Sequence, residues 1–322
     1  MKIATITLNP AIDQTVFVDH FQPNTVNRAR AMQRDAGGKG VNVASFLADY
    51  GLEVTATGLL GAENPHIFER HFAAKGIHDR FIRVPGATRI GIKIVDEANQ
   101  QTTDINLPGL PPPPGALDAL VAVIDELVAD HEWFVLAGKL PPGVPLGFVP
   151  DLVTRLRRRQ RLVALDVSGP ALAAGLASQP SLVKPNLDEL RQIDLLDGEG
   201  LPAVFTAALR MNQMGVALVV VSMGAQGAIF SDGETLLHAV PPSIPVKSTV
   251  GAGDAMVAGT IAGLVEGLPL IETARCATAF SLAALGSIGA HLPSRDELLA
   301  LAAQVKVSVV DPAAITVAPV DQ

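Results

Sequence analysis

Short runs of β-branched and aliphatic residues alternate along the chain with stretches of helical periodicity. Lys2–Leu8 (KIATITL), Val54–Leu60 (VTATGLL), Glu132–Ala137 (EWFVLA), Leu162–Val167 (LVALDV), Leu182–Lys184 (LVK) and Ala217–Ser222 (ALVVVS) have strand length. Their near-continuous apolar character is that of strands covered on both faces. Val41–Tyr50, Asp118–Ala129 and Ala203–Met214 carry helical patterns. Such alternation predicts an α/β fold with a mostly parallel central sheet and helices on both faces, a three-layer sandwich.

Two excursions break this rhythm. Gln14–Asp19 and Arg28–Arg34 are extended, with polar residues alternating. Ile90–Asp96 (IGIKIVD) also alternates, and Glu97-Ala98-Asn99-Gln100 turns it back into Gln101–Leu107 as a β-hairpin. One wet face sets these strands apart from the buried ones. Residues 14–35 and 88–107 are therefore expected to form a small β-sheet lid. The main domain would comprise residues 1–13, 36–87 and 108–322. Pro108–Gly115 (PGLPPPPG) fits neither helix nor central strand and reads as a stiff connector.

Composition narrows the class. The chain has 322 residues, 48% hydrophobic and 17% charged, enough for a sizeable core and unlike a disordered chain. Its net charge of -8 counts against a nucleic-acid partner. It is compatible with a small anionic substrate held by a few local cations. A single cysteine, Cys276, excludes an intrachain disulfide and a Cys-based zinc site, and reads as a small apolar residue. Neither an apolar leader nor a window of transmembrane length occurs, so a cytoplasmic protein without a membrane partner is expected. Arg155–Arg161 (RLRRRQR) reads as a solvated helix end.

The strongest chemical signal is Ser248–Gly259 (STVGAGDAMVAG). A strand-like segment, Ile244–Val250, runs into Gly251-Ala252-Gly253, then Asp254, then a helix from Ala255 to about Glu266. The glycines permit a tight turn whose backbone N–H groups point one way, and the helix N-terminus adds partial positive charge. The N–H groups of Gly251, Ala252, Gly253 and Asp254 would form an anion hole for a transferring phosphoryl group. Asp254 stands where it can take the proton of an attacking hydroxyl. Taken alone, it could equally be a helix cap. Neither a G-x-x-x-x-G-K-[ST] string nor G-x-G-x-x-G is present. The second signal is Ala36–Ala44 (AGGKGVNVA): Gly37, Gly38 and Gly40 allow close backbone approach, Lys39 supplies a cation, and Asn42 can bond sugar hydroxyls.

Together, GGKGVNVA and STVGAGDAMVAG resemble the two signature motifs of the PfkB, or ribokinase-like, carbohydrate kinases. The resemblance runs along nearly the whole chain. Asn9-Pro10-Ala11-Ile12-Asp13 looks like the family's substrate-binding start, with Asp13 holding sugar hydroxyls. Lys184-Pro185-Asn186-Leu187-Asp188-Glu189 contains its N-x-x-E element, Asn186 and Glu189, linked to magnesium and phosphate. Ser222–Ala228 looks like its nucleotide-binding turn, with Ser222, Gly224 and Gly227 lining the site beside Lys184, Asn186 and Gly253. Gly138–Gly143 (GKLPPG) looks like its G-S-L-P-P-G loop, except that Lys139 replaces the serine.

The resemblance implies ATP and Mg²⁺ as cofactors, a monovalent cation as a further candidate, and a homodimer clasped through the lid. Within the family, AGGKGVNVA, TLNPAID and Thr102–Asn106 are closest to the 1-phosphofructokinase branch, with tagatose 6-phosphate and fructose 6-phosphate kinases as near relatives. The expected reaction is ATP-dependent phosphorylation of fructose 1-phosphate to fructose 1,6-bisphosphate. Asp13, Gly38, Lys39 and Asn42 would hold the sugar, and Arg89 with Lys39 its phosphate. Arg28 reads as an exposed charge, and parity alone does not place Lys93. A non-catalytic sugar-phosphate sensor on the same fold is the alternative of another class, and the intact Asp254 and its glycines weigh against it.

Overall fold

The structure is a computed structural model describing residues 1–246, 250–287 and 289–315. Among these, eleven strands form one sheet. From one edge the order is Lys306–Val310, Leu236–Val240, Ala228–Ser231, Leu218–Ser222, Leu182–Val183, Leu162–Asp166, His131–Ala137, Lys2–Thr7, Glu53–Gly61 and His78–Asp79, with Ile82–Val84 also on Glu53–Gly61. The pairings from Leu218–Ser222 to the far edge are parallel; the last three strands at the other end join antiparallel.

Successive side chains of these strands face opposite layers. Ile3 and Val135 pack with the helices Lys39–Asp49, Ala252–Val265 and Leu270–Leu285, around Phe46 and Phe280. Ala4, Phe134 and Leu136 pack with Ala116–Leu127, Phe148–Arg158 and Gly200–Gln213 on the other side. Continuous apolar runs are thus explained by two cores, one on each face. Cys276 packs at the edge of the first, and burial pushes its thiol up to about 12.

A second sheet has four strands, in the order Ala31–Gly37, Ala11–Phe17, Ile90–Asp96 and Gln101–Asn106. The outer pairings are antiparallel and the central one parallel. Its first two strands reach to Ala11 and Gly37 because Ala11, Ile12 and Ala36 are buried and carry no polar alternation.

Two expectations about the glycine motif are corrected. Ile244–Val246 form no strand, since Pro245 removes a ladder N–H; Ser248 and Thr249 lie outside the described residues. The helix begins at Ala252, three residues before the expected Ala255. Gly253 does not delay it, because first-turn N–H groups need no intrahelical partner.

Lys2–Thr7 is flanked by Glu53–Gly61 on one side and His131–Ala137 on the other, so strand order reverses around it. In such sheets the crevice beyond the carboxyl ends of the strands binds ligands. Asn9, Gly138, Asp166, Lys184 and Ser222 all lie at or just past those ends.

Candidate active site

The helix Ala252–Val265 starts from Gly251, whose φ of 82° is the left-handed conformation that glycine adopts freely. No side chain caps this end. Asp254 is therefore not the cap. It is buried in the first turn, and its Oδ2 accepts a 2.7 Å hydrogen bond from Asn42 Nδ2. Burial, reinforced by the nearby charge of Asp166, pushes Asp254 up to about 6 against the pull of Lys39 and Lys184. A methyl on Gly253 would lie 3.2 Å from Lys184 Nζ, so the lysine stands directly against the helix N-terminus. Backbone N–H groups and an ammonium converge there, as an anion requires.

Asp166 organises the lysines. Its Oδ1 lies 3.3 Å from Lys39 Nζ and 3.3 Å from Lys184 Nζ, and its side chain is 1% exposed. Burial alone would raise this carboxyl; Lys184 and Lys39 outweigh it and hold Asp166 below its ordinary value. Asp166 was not anticipated from sequence. The only signal was a charged residue closing the apolar run LVALD, and its partner Lys39 is 127 positions away. Lys39 is the first residue of its helix, and Nζ also lies 3.3 Å from Glu189 Oε1. Desolvation opposes its charge, but Asp166, Glu189 and Asp254 raise its pKa above the ordinary lysine value.

Asn186 and Glu189 form a reciprocal capping box on Leu187–Gln192: Glu189 N–H donates to Asn186 Oδ1 at 2.8 Å, and Asn186 N–H to Glu189 Oε2 at 3.0 Å. Asn186 also bridges to Ser222. Beyond Ser222, Gly224 and Gly227 have φ of 59° and 87°, and a methyl on Gly227 would lie 1.9 Å from Ala239 O. This turn closes through Met223 N–H to Gly227 O.

The fit of Mg²⁺ turns on one atom. Asp166 Oδ2 is buried without a hydrogen-bond partner, and the described residues contain no group of three acidic, His or Cys side chains able to hold a metal. Such a donor set suits an ion that brings its own phosphate and water ligands.

Asp13 occupies the other end, on the strand Ala11–Phe17. Methyl groups on Gly37 and Gly91 would lie 2.1 Å and 3.1 Å from its carboxylate oxygens, so two glycines make room for it. Burial pushes Asp13 up to about 6, opposed by Lys93 and Arg89. Gly38 has a φ of 112°, and a methyl there would come within 3.0 Å of Pro10 Cα. Arg89 Nε donates to Asn9 Oδ1 at 2.9 Å and Nη2 to Asn9 O at 3.3 Å, while Nη1 reaches Asn106 Oδ1 at 3.5 Å.

Asp13, Asn42, Lys93 and Gly251 line one cleft of about 650 Å³. Asn42, hydrogen-bonded to Asp254, connects it to the first turn of the glycine-led helix. Lys39 and Arg89, expected to act together, share no partner: Lys39 turns to Asp166 and Glu189, Arg89 to Asn9 and Asn106. Arg28 and Lys139 are exposed. Gly37→Ala should push the Asp13 carboxylate from its place, raising KM for the acceptor roughly 10-fold while KM for the nucleotide stays within twofold. Steady-state kinetics with each substrate varied in turn checks this.

The architecture is that of the ribokinase-like α/β proteins, in which strand ends converge on a glycine-led helix N-terminus beside a small separate sheet. The chain belongs to the pfkB family of carbohydrate kinases, whose family model matches residues 6–297. It is 51% identical over 313 residues to the 1-phosphofructokinase of Rhodobacter capsulatus, covering 97% of this chain and 99% of that one. It is 39% identical to the 1-phosphofructokinase of Vibrio cholerae, covering 97% and 98%. Among solved structures, phosphofructokinase-2 from Escherichia coli in complex with potassium is 31% identical with a TM-score of 0.86, covering 94% and 98%.

Proposed function

We propose that this chain transfers the γ-phosphoryl group of ATP to the C6 hydroxyl of fructose 1-phosphate, giving fructose 1,6-bisphosphate and ADP. The observation that carries the reading is Asp254, a buried carboxylate within the first turn of an uncapped, glycine-led helix, joined through Asn42 to a cleft containing Asp13. The names of the similar proteins favour fructose 1-phosphate as the acceptor.

Asp254 accepts the proton of the acceptor hydroxyl as its oxygen bonds to phosphorus and the bond from phosphorus to the ADP oxygen breaks. Backbone N–H groups from Gly251 to Asp254, with Lys184, neutralise charge on the phosphoryl oxygens. Asp13, Gly38 and Asn42 hold the sugar. Ser222, Gly224 and Gly227 line the nucleotide site. Asp166, Asn186 and Glu189 would hold Mg²⁺ through its water and phosphate ligands, and the ion supplies positive charge across the ATP phosphates. A monovalent cation is a further cofactor on this reading, as the potassium complex of the Escherichia coli protein supports.

Residues 14–35 and 88–107 act as the lid, excluding water when substrate is bound. The face of the small sheet turned away from the cleft carries Val16, Met32, Ile92, Ile94 and Ile105 in register. Met32 and Ile105 are exposed, which favours a second copy of the chain clasping that face. No helix among the described residues is long and apolar enough to cross a membrane, and the cytoplasm is the proposed location.

Coupled ADP release with ATP and Mg²⁺ tests the assignment, using fructose 1-phosphate, fructose 6-phosphate, tagatose 6-phosphate and free fructose in parallel. Fructose 1-phosphate should give the highest kcat/KM. A higher value for another ketose phosphate would leave the kinase reading in place and overturn the substrate assignment.

A further inference from the structure

The cleft that contains Asp13 is acidic. Asp13, Asp35, Asp96 and Glu97 line it, and among the described residues Lys93 is the cation that does so. A phosphorylated substrate entering it meets four carboxyl groups, so a positive partner is needed inside the cleft itself. Lys39 and Arg89 are both engaged elsewhere, by Asp166 with Glu189 and by Asn9 with Asn106 respectively.

Strand register settles what parity left open. Lys93 is registered opposite Thr15 on one side and Asp104 on the other. Thr15, Val95 and Thr102 line the cleft with it. The Lys93 side chain is only 15% exposed, yet its nearest acidic partner, Asp104 Oδ1, is 4.0 Å away on a carboxylate that is 51% exposed. A largely desolvated ammonium with so loose a partner is ready to take a better one.

We propose that Lys93 is the specificity-determining cation that receives the phosphate group already carried by the acceptor substrate, giving up Asp104 for it on binding. The inference rests on the reading of this site as a ketose-phosphate kinase and assigns the contact that separates phosphorylated from unphosphorylated sugars. Lys93 lies midway along the small sheet, so this contact travels with that sheet rather than with the main body.

The test compares the full-length wild type with Lys93→Met and Lys93→Arg, using fructose 1-phosphate and free fructose as acceptors. ATP is varied separately, from pH 6 to pH 8.5. Lys93→Met should raise KM for fructose 1-phosphate roughly 10- to 100-fold, the range of a lost charge-assisted hydrogen bond. It should cut the preference for fructose 1-phosphate over fructose by the same factor and move KM for ATP less than about twofold. Lys93→Arg should recover most of the loss.

Two results would overturn the proposal. One is an equal loss on both acceptors. The other is a loss repaired at high pH: Asp13 faces Lys93, Arg89, Asp35 and Asp104, and such repair would mean that Lys93 acts only by keeping Asp13 ionised. A wild type that prefers another ketose phosphate overturns only the substrate assignment, and the Lys93 comparison is then read with that sugar. A wild type that phosphorylates none overturns both.

Discussion

Asp254→Asn is expected to lower kcat by about 10²- to 10⁴-fold, the contribution of a positioned general base, with KM for either substrate moving far less. The side chain keeps an oxygen for Asn42 Nδ2, so the local geometry survives. Circular dichroism and a thermal melt should show a folded protein, with a Tm higher by about 2–6 °C. The rise follows from the sign of the shift. Asp254 and Asp13 are pushed by burial from 3.8 to about 6, so the native state binds their protons more tightly than the unfolded chain does. Their contribution to stability is present at low pH and lost as pH rises through about 6. Activity runs the other way, falling on acidification through the same interval as the base becomes protonated. A pH–rate profile for kcat/KM should therefore show an acid limb near pH 6, while the melting temperature contributed by these two groups declines across it.

Removal of Asp166 should have the largest effect on the fold. Asp166→Ala leaves Lys184, 4% exposed, and Lys39 without the carboxylate between them. An uncompensated buried charge costs about 3–5 kcal/mol, visible as a lower urea midpoint at unchanged m. Adding Lys184→Met to that variant should restore part of the midpoint, because it removes the buried ammonium that lost its ion-pair partner, whereas Lys39 keeps Glu189. The pH sign is opposite to that of Asp254: a carboxyl held below its ordinary value stabilises above that value, and the contribution is lost on acidification. Turnover should fall as well, since Lys184 faces the helix N-terminus from this ion pair.

The parallel part of the large sheet was legible in the sequence because its main strands are nearly continuous apolar runs, a signal that survives without tertiary context. Ala228–Ser231, Leu236–Val240, Lys306–Val310, His78–Asp79 and Ile82–Val84 were not anticipated, being short or, in Lys306–Val310, largely exposed. The hairpin Ile90–Asp96 with Gln101–Asn106 was equally plain, since its alternation and polar turn are local. Asp254, Asp13 and the glycines around them stood in contiguous motifs. Asp166 did not, because a single aspartate at a strand end looks the same whether it faces water or two buried lysines. The direction of Lys39 was hidden for a related reason: a cation in a glycine turn suggests a ligand, and its acidic partners come from strands and helices far along the chain. Lys93 was undecided until strand pairing fixed which face it shares with Thr15 and Val95. Of the strand expected over Ile244–Val250, Ile244–Val246 are not strand, because an apolar composition outweighed Pro245 in that reading; residues 247–249 lie outside the described residues.

The two carboxylates pushed up to about 6 belong to different sheets' territories. Asp13 is part of a strand of the four-stranded sheet, whereas Asp254 is anchored in a helix packed on the eleven-stranded one. The small sheet enters and leaves the larger body through four chain crossings, before Ala11, after Gly37, before Ile90 and after Asn106. Four tethers cannot swivel about one bond; the plate must tilt as a unit. Any such tilt changes the gap between Asp13 and Asp254 directly, with no intervening linkage. On the proposed reading, the small sheet is thus a lever with one jaw of the vice mounted on it, and stiffness in its tethers would set how closely a bound sugar's reacting oxygen is aligned.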